Sequence, residues 1–413
     1  MNRSRIQDAI VRAIDPTAEG YQSAASRIES LPAEYRQSLL DHELSKSVAT
    51  VLREEPEFEY GLMIYRENGS SGMNADRAAV ALVSKARIAS PPAAIDWLEK
   101  VLSTQEARGY CVMALWGIPK IDSTCLVSGV DLVPVQAIAE SVQRKWLLDL
   151  SDSSAMARNS PPSLLGVPEV ALVHPTTVRP YLWNLKDGTP PAQAEPLRAY
   201  YLLDDVRRAL TAVGPCAPIQ AAYWFQFEDA DLEDATLGRS WSHHHHEVSP
   251  MMLQSIGPFS APLAAETVQA YLKLQPGLKD RAAIALDRLN QAIRRRGAGD
   301  QALDVCIALE TLLADGQGEN TFKVALRAAL LTEVNLSERK RVRGVVGASY
   351  VMRSAMVHNG KVPDPVKVVG RGDTSAANVS REAMQACGRV LLEILKRSDL
   401  PNWYETELGA AVL

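Results

Sequence analysis

At 413 residues and 45.0 kDa, the chain exceeds what one hydrophobic core usually organises, so two or three domains are expected. Its 46% hydrophobic and 23% charged residues exclude a largely disordered chain, and no apolar run approaches the roughly 20 residues that span a bilayer. A net charge of −5 argues against a protein coated in nucleic acid, yet leaves room for a local basic site.

The start, "MNRSRIQDAIVRAIDPTAEG", carries no continuous apolar stretch and does not read as a secretory signal. The five cysteines, at 111, 125, 216, 306 and 387, form no C-x-x-C pair. Buried free thiols in a reducing cytoplasm are expected from them.

The first hundred residues read as helical. From Ala33, "AEYRQSLLDHELSKSVATVLREE" places Leu39, Leu40, Leu44, Val48 and Val51 at helical spacing. "PPAAIDWLEKVLS" opens with prolines suited to a first helical turn. After this come β-rich runs. "RGYCVMALWGI" and "DSTCLVSGVDLVPV" flank "PKID", a hairpin candidate, and "EVALVHP", "TVRPYLWNL" and "PIQAAYWFQFE" continue the character to Glu228. "PLRAYYLLDDVRRALTAV" interrupts them as an amphipathic helix. The acidic "EDADLEDATLG" reads as a solvated loop. His243 to His246 follow, and four consecutive histidines cannot all converge on one metal, so a surface loop is expected there.

From Pro262 the pattern is helical almost without interruption, in six segments ending with "SREAMQACGRVLLEILKRS". One Pro/Gly-rich linker, "NGKVPDPVKVVGRGDTSAAN", breaks the run. The fold class expected is an α+β N-terminal region followed by an all-α helical bundle. By segment, residues 1–104 are helical, 105–260 are α+β with short strands, and 261–413 are the bundle.

The candidate chemistry lies in "SYVMRSAMVHNGKV", residues 349 to 362. At 100° per residue, Val342, Val345, Val346, Ser349, Met352, Met356 and Val357 share a stripe with Arg353 near its middle. Two segments earlier, Leu303, Cys306, Ile307, Leu313 and Ala314 surround Glu310 in the same way. A core charge needs a partner, so Glu310 and Arg353 are expected to meet, either as a structural bridge or as part of a catalytic site. His358 lies 140° from Arg353, beside Gly347, Val351, Ser354 and Ala355. Gly344 and Ala348 continue that face of small residues, which suits a second helix at close range, from the same bundle or from a symmetry mate. His358 occupies the last turn, where the helix dipole favours a cation, and capping or packing would also account for a histidine there. Arg339, Lys340, Arg341 and Arg343 open this helix, and Arg294 to Arg296 close an earlier one. Such runs neutralise phosphates or form a solvated face.

The ordered blocks "ALETLL", "ALRAALL" and "YVMRSAMVHNG" resemble the HEPN superfamily and its Apea-like branch, over about residues 262 to 398. The R-x4-6-H signature falls on Arg353 and His358. The resemblance implies a metal-independent endoribonuclease, without cofactor, acting as a homodimer in which two such motifs share a cleft. Arg353 would stabilise charge on the scissile phosphate and His358 would transfer protons, with Ser354 and Glu310 beside them. Many nucleolytic members carry Asn, Asp or His after the arginine, whereas this chain carries Ser354. Such domains further imply a toxin or antiviral effector in the cytoplasm, held in check by an inhibitory or sensor partner through the N-terminal region. The competing expectation is a non-catalytic module that dimerises and binds RNA or protein.

Overall fold

The structure, a computed structural model, describes residues 1–66, 69–149, 167–188, 198–236, 243–244, 256–314 and 320–409. It is a mixed helix and sheet protein whose C-terminal part is helical. Helices α1 (Arg3–Ile14), α2 (Glu19–Ile28) and α3 (Ala33–Arg53) precede strands β1 (Leu62–Arg66) and β2 (Gly69–Met73). Helices α4 (Ala75–Ile88) and α5 (Pro91–Ser103) follow, then β3 (Ala107–Trp116), β4 (Thr124–Val127), β5 (Val130–Pro134), α6 (Val142–Asp149), β6 (Val170–Val178) and β7 (Leu182–Asn184). Next come α7 (Arg198–Leu210), β8 (Ile219–Phe227), α8 (Ala230–Asp234) and β9 (His243–His244). The helical part comprises α9 (Ala261–Leu272), α10 (Pro276–Arg294), α11 (Ala298–Leu313), α12 (Asn320–Thr332) and α13 (Leu336–Asn359), a hairpin β10 (Val366–Val368) and β11 (Gly372–Thr374), then α14 (Ala376–Arg397) and α15 (Trp403–Gly409).

Two compact units result, and neither is continuous in sequence. Met1–Cys111, Pro175–Ala199 and Trp224–Ser242 form the first; Val112–His174, Tyr200–Tyr223 and His243–Leu413 form the second. The chain passes from one unit to the other inside β3, β6, α7 and β8. A change of composition along the chain cannot mark a boundary of that kind.

In the first unit α1, α3, α4 and α5 pack on one another. Helix α1 buries Ile6, Ala9, Ile10 and Ala13, one apolar stripe. On α3 the buried line is Leu40, Leu44, Val48 and Leu52, whereas Leu39 is exposed, so the apolar face is rotated from the one expected. The acidic stretch is not a solvated loop. Asp229 and Asp231 meet Lys100 at 2.7 and 2.9 Å, Asp234 meets Lys85 at 2.8 Å, and Glu233 accepts the Phe227 N–H at 2.8 Å. Burial, first of all, holds the Glu233 carboxyl above its ordinary range.

The six-stranded sheet has the order β4-β5-β6-β3-β8-β9. The expected β3–β4 hairpin therefore does not form: β4 pairs with β5 through a turn at Gly129, φ 79°, while β3 lies between β6 and β8. The flanks of "PKID" do not pair, since strand neighbours are set by long-range packing that a local turn signal does not report. Every residue of β8 is buried, which explains its nearly unbroken apolar run. His243 and His244 pair with Tyr223 and Ala222 as an edge strand rather than a loop; His245 and His246 lie outside the described residues.

In the helical part, α11 is central and packs on α10, α13 and α14. Arg288 reaches Asp304 at 3.1 Å and Arg281 the Thr311 carbonyl at 2.7 Å, an antiparallel register. Cys306 faces Ser349, and Gly299 lies against Met356, so α11 and α13 are antiparallel as well. The expected Pro/Gly linker contains the β10–β11 hairpin, packed on α13 with Val366 and Val368 buried. Among the described residues no helix is long and apolar enough to cross a membrane.

Candidate functional site

Helix α13 carries the site residues. Asn335 caps its start, accepting the Ser337 N–H at 2.8 Å. Gly360 ends it in the left-handed conformation, φ 66°, its N–H donating to the Met356 carbonyl. Val342, Val345, Val346, Ser349 and Met352 are buried, as expected from spacing. The stripe then stops. Met356 is half-buried, Val357 is exposed, and no residue from Arg353 to Gly360 is buried. The last two turns of α13 thus lie at the edge of the core, where Met356 still meets Gly299 of α11, and apolar spacing alone could not show where full burial ends.

The small-residue face divides into two parts. Gly344 and Ala348 are buried, and a Cβ on Gly344 would stand 2.6 Å from the Val369 carbonyl, so the hairpin of this same chain fills that half. A Cβ on Gly347 would meet nothing within 4 Å. At 100° per residue Lys340, Arg343, Gly347, Val351, Ser354 and His358 lie within about 40° of one line. All except half-buried Gly347 are exposed. This is the uncovered face of α13, and the His358 ring has no hydrogen-bond partner on it among the described residues.

Arg353 and Glu310 do meet, Nη1 donating to Oε1 at 2.6 Å. Position 310 is about eight residues out of register with 353 in the antiparallel pair. Both side chains span that offset because helical side chains lean toward their own N-termini. The pair is not buried: 31% of the Arg353 side chain and 24% of Glu310 reach solvent. On α11 the buried residues are Gly299, Ala302, Asp304, Val305, Cys306, Ala308, Leu309, Leu312 and Leu313, with Leu303, Ile307 and Glu310 on the flank. The buried face of α11 is therefore turned away from the Leu303, Ile307 and Ala314 side that spacing suggests, and Glu310 borders it instead of lying at its centre. Beneath the pair, the Arg353 guanidinium lies 5.7 Å from the Tyr350 ring centre. Burial is the main cause pushing the Tyr350 phenol far above its ordinary range and the Cys306 thiol up to about 12. Both groups therefore stay protonated near neutrality.

The four residues expected to bind RNA are not equivalent. Arg341 is paired with Glu338 at 2.8 Å and with Glu382 at 2.9 Å. Arg339 donates to the Glu333 carbonyl at 2.7 Å. Lys340 and Arg343 are exposed, and Arg343 lies over the Phe322 ring at 5.0 Å. In the other run, Arg295 is bound to Asp304 at 3.1 Å and Arg294 is buried, leaving Arg296 on the surface.

The arginine enclosed by this part of the protein is one that spacing passed over. Arg327, in the middle of "ALRAA", is 2% exposed. It donates to the Leu313 carbonyl at 2.6 Å and to Glu407 at 2.7 Å, with its guanidinium 5.0 Å from the Trp403 ring centre. With Arg281 it satisfies the orphan carbonyls at the end of α11. A charge at the centre of the α12 apolar stripe was the available signal. Among the described residues no group of three His, Cys, Asp or Glu is placed to hold a metal ion. No family model matches the chain, and no curated protein or solved structure matches it at a significant level.

Proposed function

We propose that the chain is a metal-independent RNA endonuclease of the HEPN type, and that its targets make it a toxin or antiviral effector checked through its N-terminal region. The observation that carries this reading is the uncovered face of α13, where Lys340, Arg343, Ser354 and His358 share one exposed stripe. The R-x4-H spacing resembles the family signature. In the reaction, the substrate's 2′-OH attacks its adjacent phosphorus and the 5′-oxygen departs. His358 serves the proton transfers, and Arg353 offsets the charge that builds on the phosphorane. Ser354 adds a hydroxyl beside them. Arg353 and His358 point about 140° apart on one helix, so a second copy docking at Gly347 would complete each cleft. The partly exposed Glu310 would hold Arg353 in place without removing it from solvent.

A second reading, a non-catalytic module that dimerises and binds RNA or protein, is favoured by that same ion pair, since Arg353 already has a partner. Purified protein incubated with total RNA and EDTA separates the two. Cleavage is expected, with 5′-OH and 2′,3′-cyclic phosphate ends. His358→Ala, at an exposed position, is expected to melt as the parent does and to cleave roughly 10²–10⁴-fold more slowly. A folded His358→Ala protein cutting at the parental rate overturns the nuclease reading.

A further inference from the structure

We infer that Phe322 and Arg343 form a platform on which an unpaired nucleobase stacks, so that the substrate is single-stranded RNA laid along the uncovered face of α13. The inference rests on the RNA-binding reading above and adds what selects the strand. The chain has five phenylalanines. Phe58, Phe225 and Phe227 are core residues and Phe259 is half-buried, whereas Phe322 is 49% exposed. Its helix loses nothing from the core by this, because α12 buries Val324, Ala325, Ala328, Ala329 and Leu331 on another side. The exposed ring is not bare: the Arg343 guanidinium lies 5.0 Å from its centre, holding a flat cation beside a flat ring. Both offer a face to a third flat, electron-rich group.

Charge selects the occupant. Lys340, one turn before Arg343, is exposed and has no acidic partner among the described residues. An aromatic ring carrying one cation, with a second cation one turn away along α13, fits a base with its flanking phosphates. Stacking on aromatic and guanidinium planes requires an unstacked base, which a duplex does not present. Arg343 and His358 stand fifteen residues apart on the same line of α13, about 22 Å at helical rise. A strand anchored at the platform therefore runs toward His358 without turning.

The test measures binding by fluorescence anisotropy, using a labelled oligouridylate with 2′-O-methyl riboses, which no 2′-OH attack can cut, and the same strand annealed to its complement. Phe322→Leu keeps the volume apolar and removes the π face; Phe322→Trp restores it. Single-strand affinity is expected to fall about tenfold in Phe322→Leu and to be kept in Phe322→Trp, with duplex affinity unchanged. Lys340→Ala is expected to reduce the slope of log affinity against log salt by about 0.7, while Phe322→Leu leaves that slope alone. An indifferent Phe322→Leu, a duplex bound as tightly as the single strand, or a parent protein that binds neither overturns the platform. Cleavage of ordinary RNA, scored in parallel, tests the nuclease reading separately. Cutting with an indifferent Phe322→Leu overturns the platform and leaves the nuclease standing, and a stacking-dependent protein that never cuts supports the platform and removes the nuclease.

Discussion

Arg327 and Arg353 sit in adjacent helices of the same helical part, and their surroundings are opposite. Arg327 is enclosed by α11, α12 and α15, and its donors go to a carbonyl at the end of α11, to Glu407 and toward the Trp403 face. Arg353 stands at the rim with one carboxylate partner and 31% of its side chain in water. Both look alike in the sequence, a cation set among alanines, leucines or methionines. A helical stripe thus identifies a direction and not a depth. Whether a charge on it is structural depends on how far the neighbouring helices extend. After Met352 no residue of helix α13 is buried, yet Arg353 still meets Glu310 and Met356 still lies against Gly299.

The largest effect expected is at the enclosed arginine. Arg327→Ala strips the Leu313 carbonyl and Trp403 of their partner and leaves a cavity, at a cost of about 3–5 kcal/mol, read as the urea midpoint. A midpoint unmoved by this change would mean that α15 does not close over α12, and the contrast with Arg353 would disappear.

Within α13 itself, two glycines one turn apart should respond with opposite signs. Gly344→Ala forces a methyl onto the Val369 carbonyl and should destabilise by about 1–3 kcal/mol. Gly347→Ala has open space and should stabilise by roughly 0.5–1 kcal/mol through helix propensity. Equal responses would show that the hairpin does not cover the first half of this face. If Gly347 marks the proposed contact with a second copy, Gly347→Leu should convert a dimer to a monomer in sedimentation while melting no lower.

At the rim, Glu310→Ala should cost only about 1–2 kcal/mol, between the values for exposed and buried pairs. A loss as large as that of Arg327→Ala would place the pair in the core after all.

The smallest effect concerns the first unit, where Asp231 lies half-exposed between Lys100 and Lys85. The Lys100 hydrogen bond, the largest cause, lowers its pKa from 3.8. A folded-state value below the unfolded one contributes stability above about pH 4, and that contribution is lost as the pH falls through the folded value. Solvent screening limits it to some tenths of a kcal/mol. Asp231→Asn should flatten the stability profile below pH 4 and leave its shape near neutrality unchanged; an identical acid limb in both proteins would show that the ion pair does not form.

Much of this was legible in the chain because it is written in short-range periodicity. Helices from Pro262 onward, the buried Val342-to-Met352 line and the end of α13 at Asn359–Gly360 all follow from spacing and caps that act within a few residues. So did the meeting of Glu310 with Arg353, although the pair lies half-exposed beside the buried faces of the two helices and not within them. The pairing of β4 with β5 instead of β3, the passage of three strands between units, the lysine partners of the acidic stretch and the closure of Arg327 by Glu407 were decided only in three dimensions. Each joins residues far apart in sequence, so no local pattern carries it. The same holds for the uncovered face of α13. Sequence placed Lys340, Arg343 and His358 on one line of a helix, and only the tertiary structure left that line open by filling the neighbouring Gly344 groove with the chain's own hairpin.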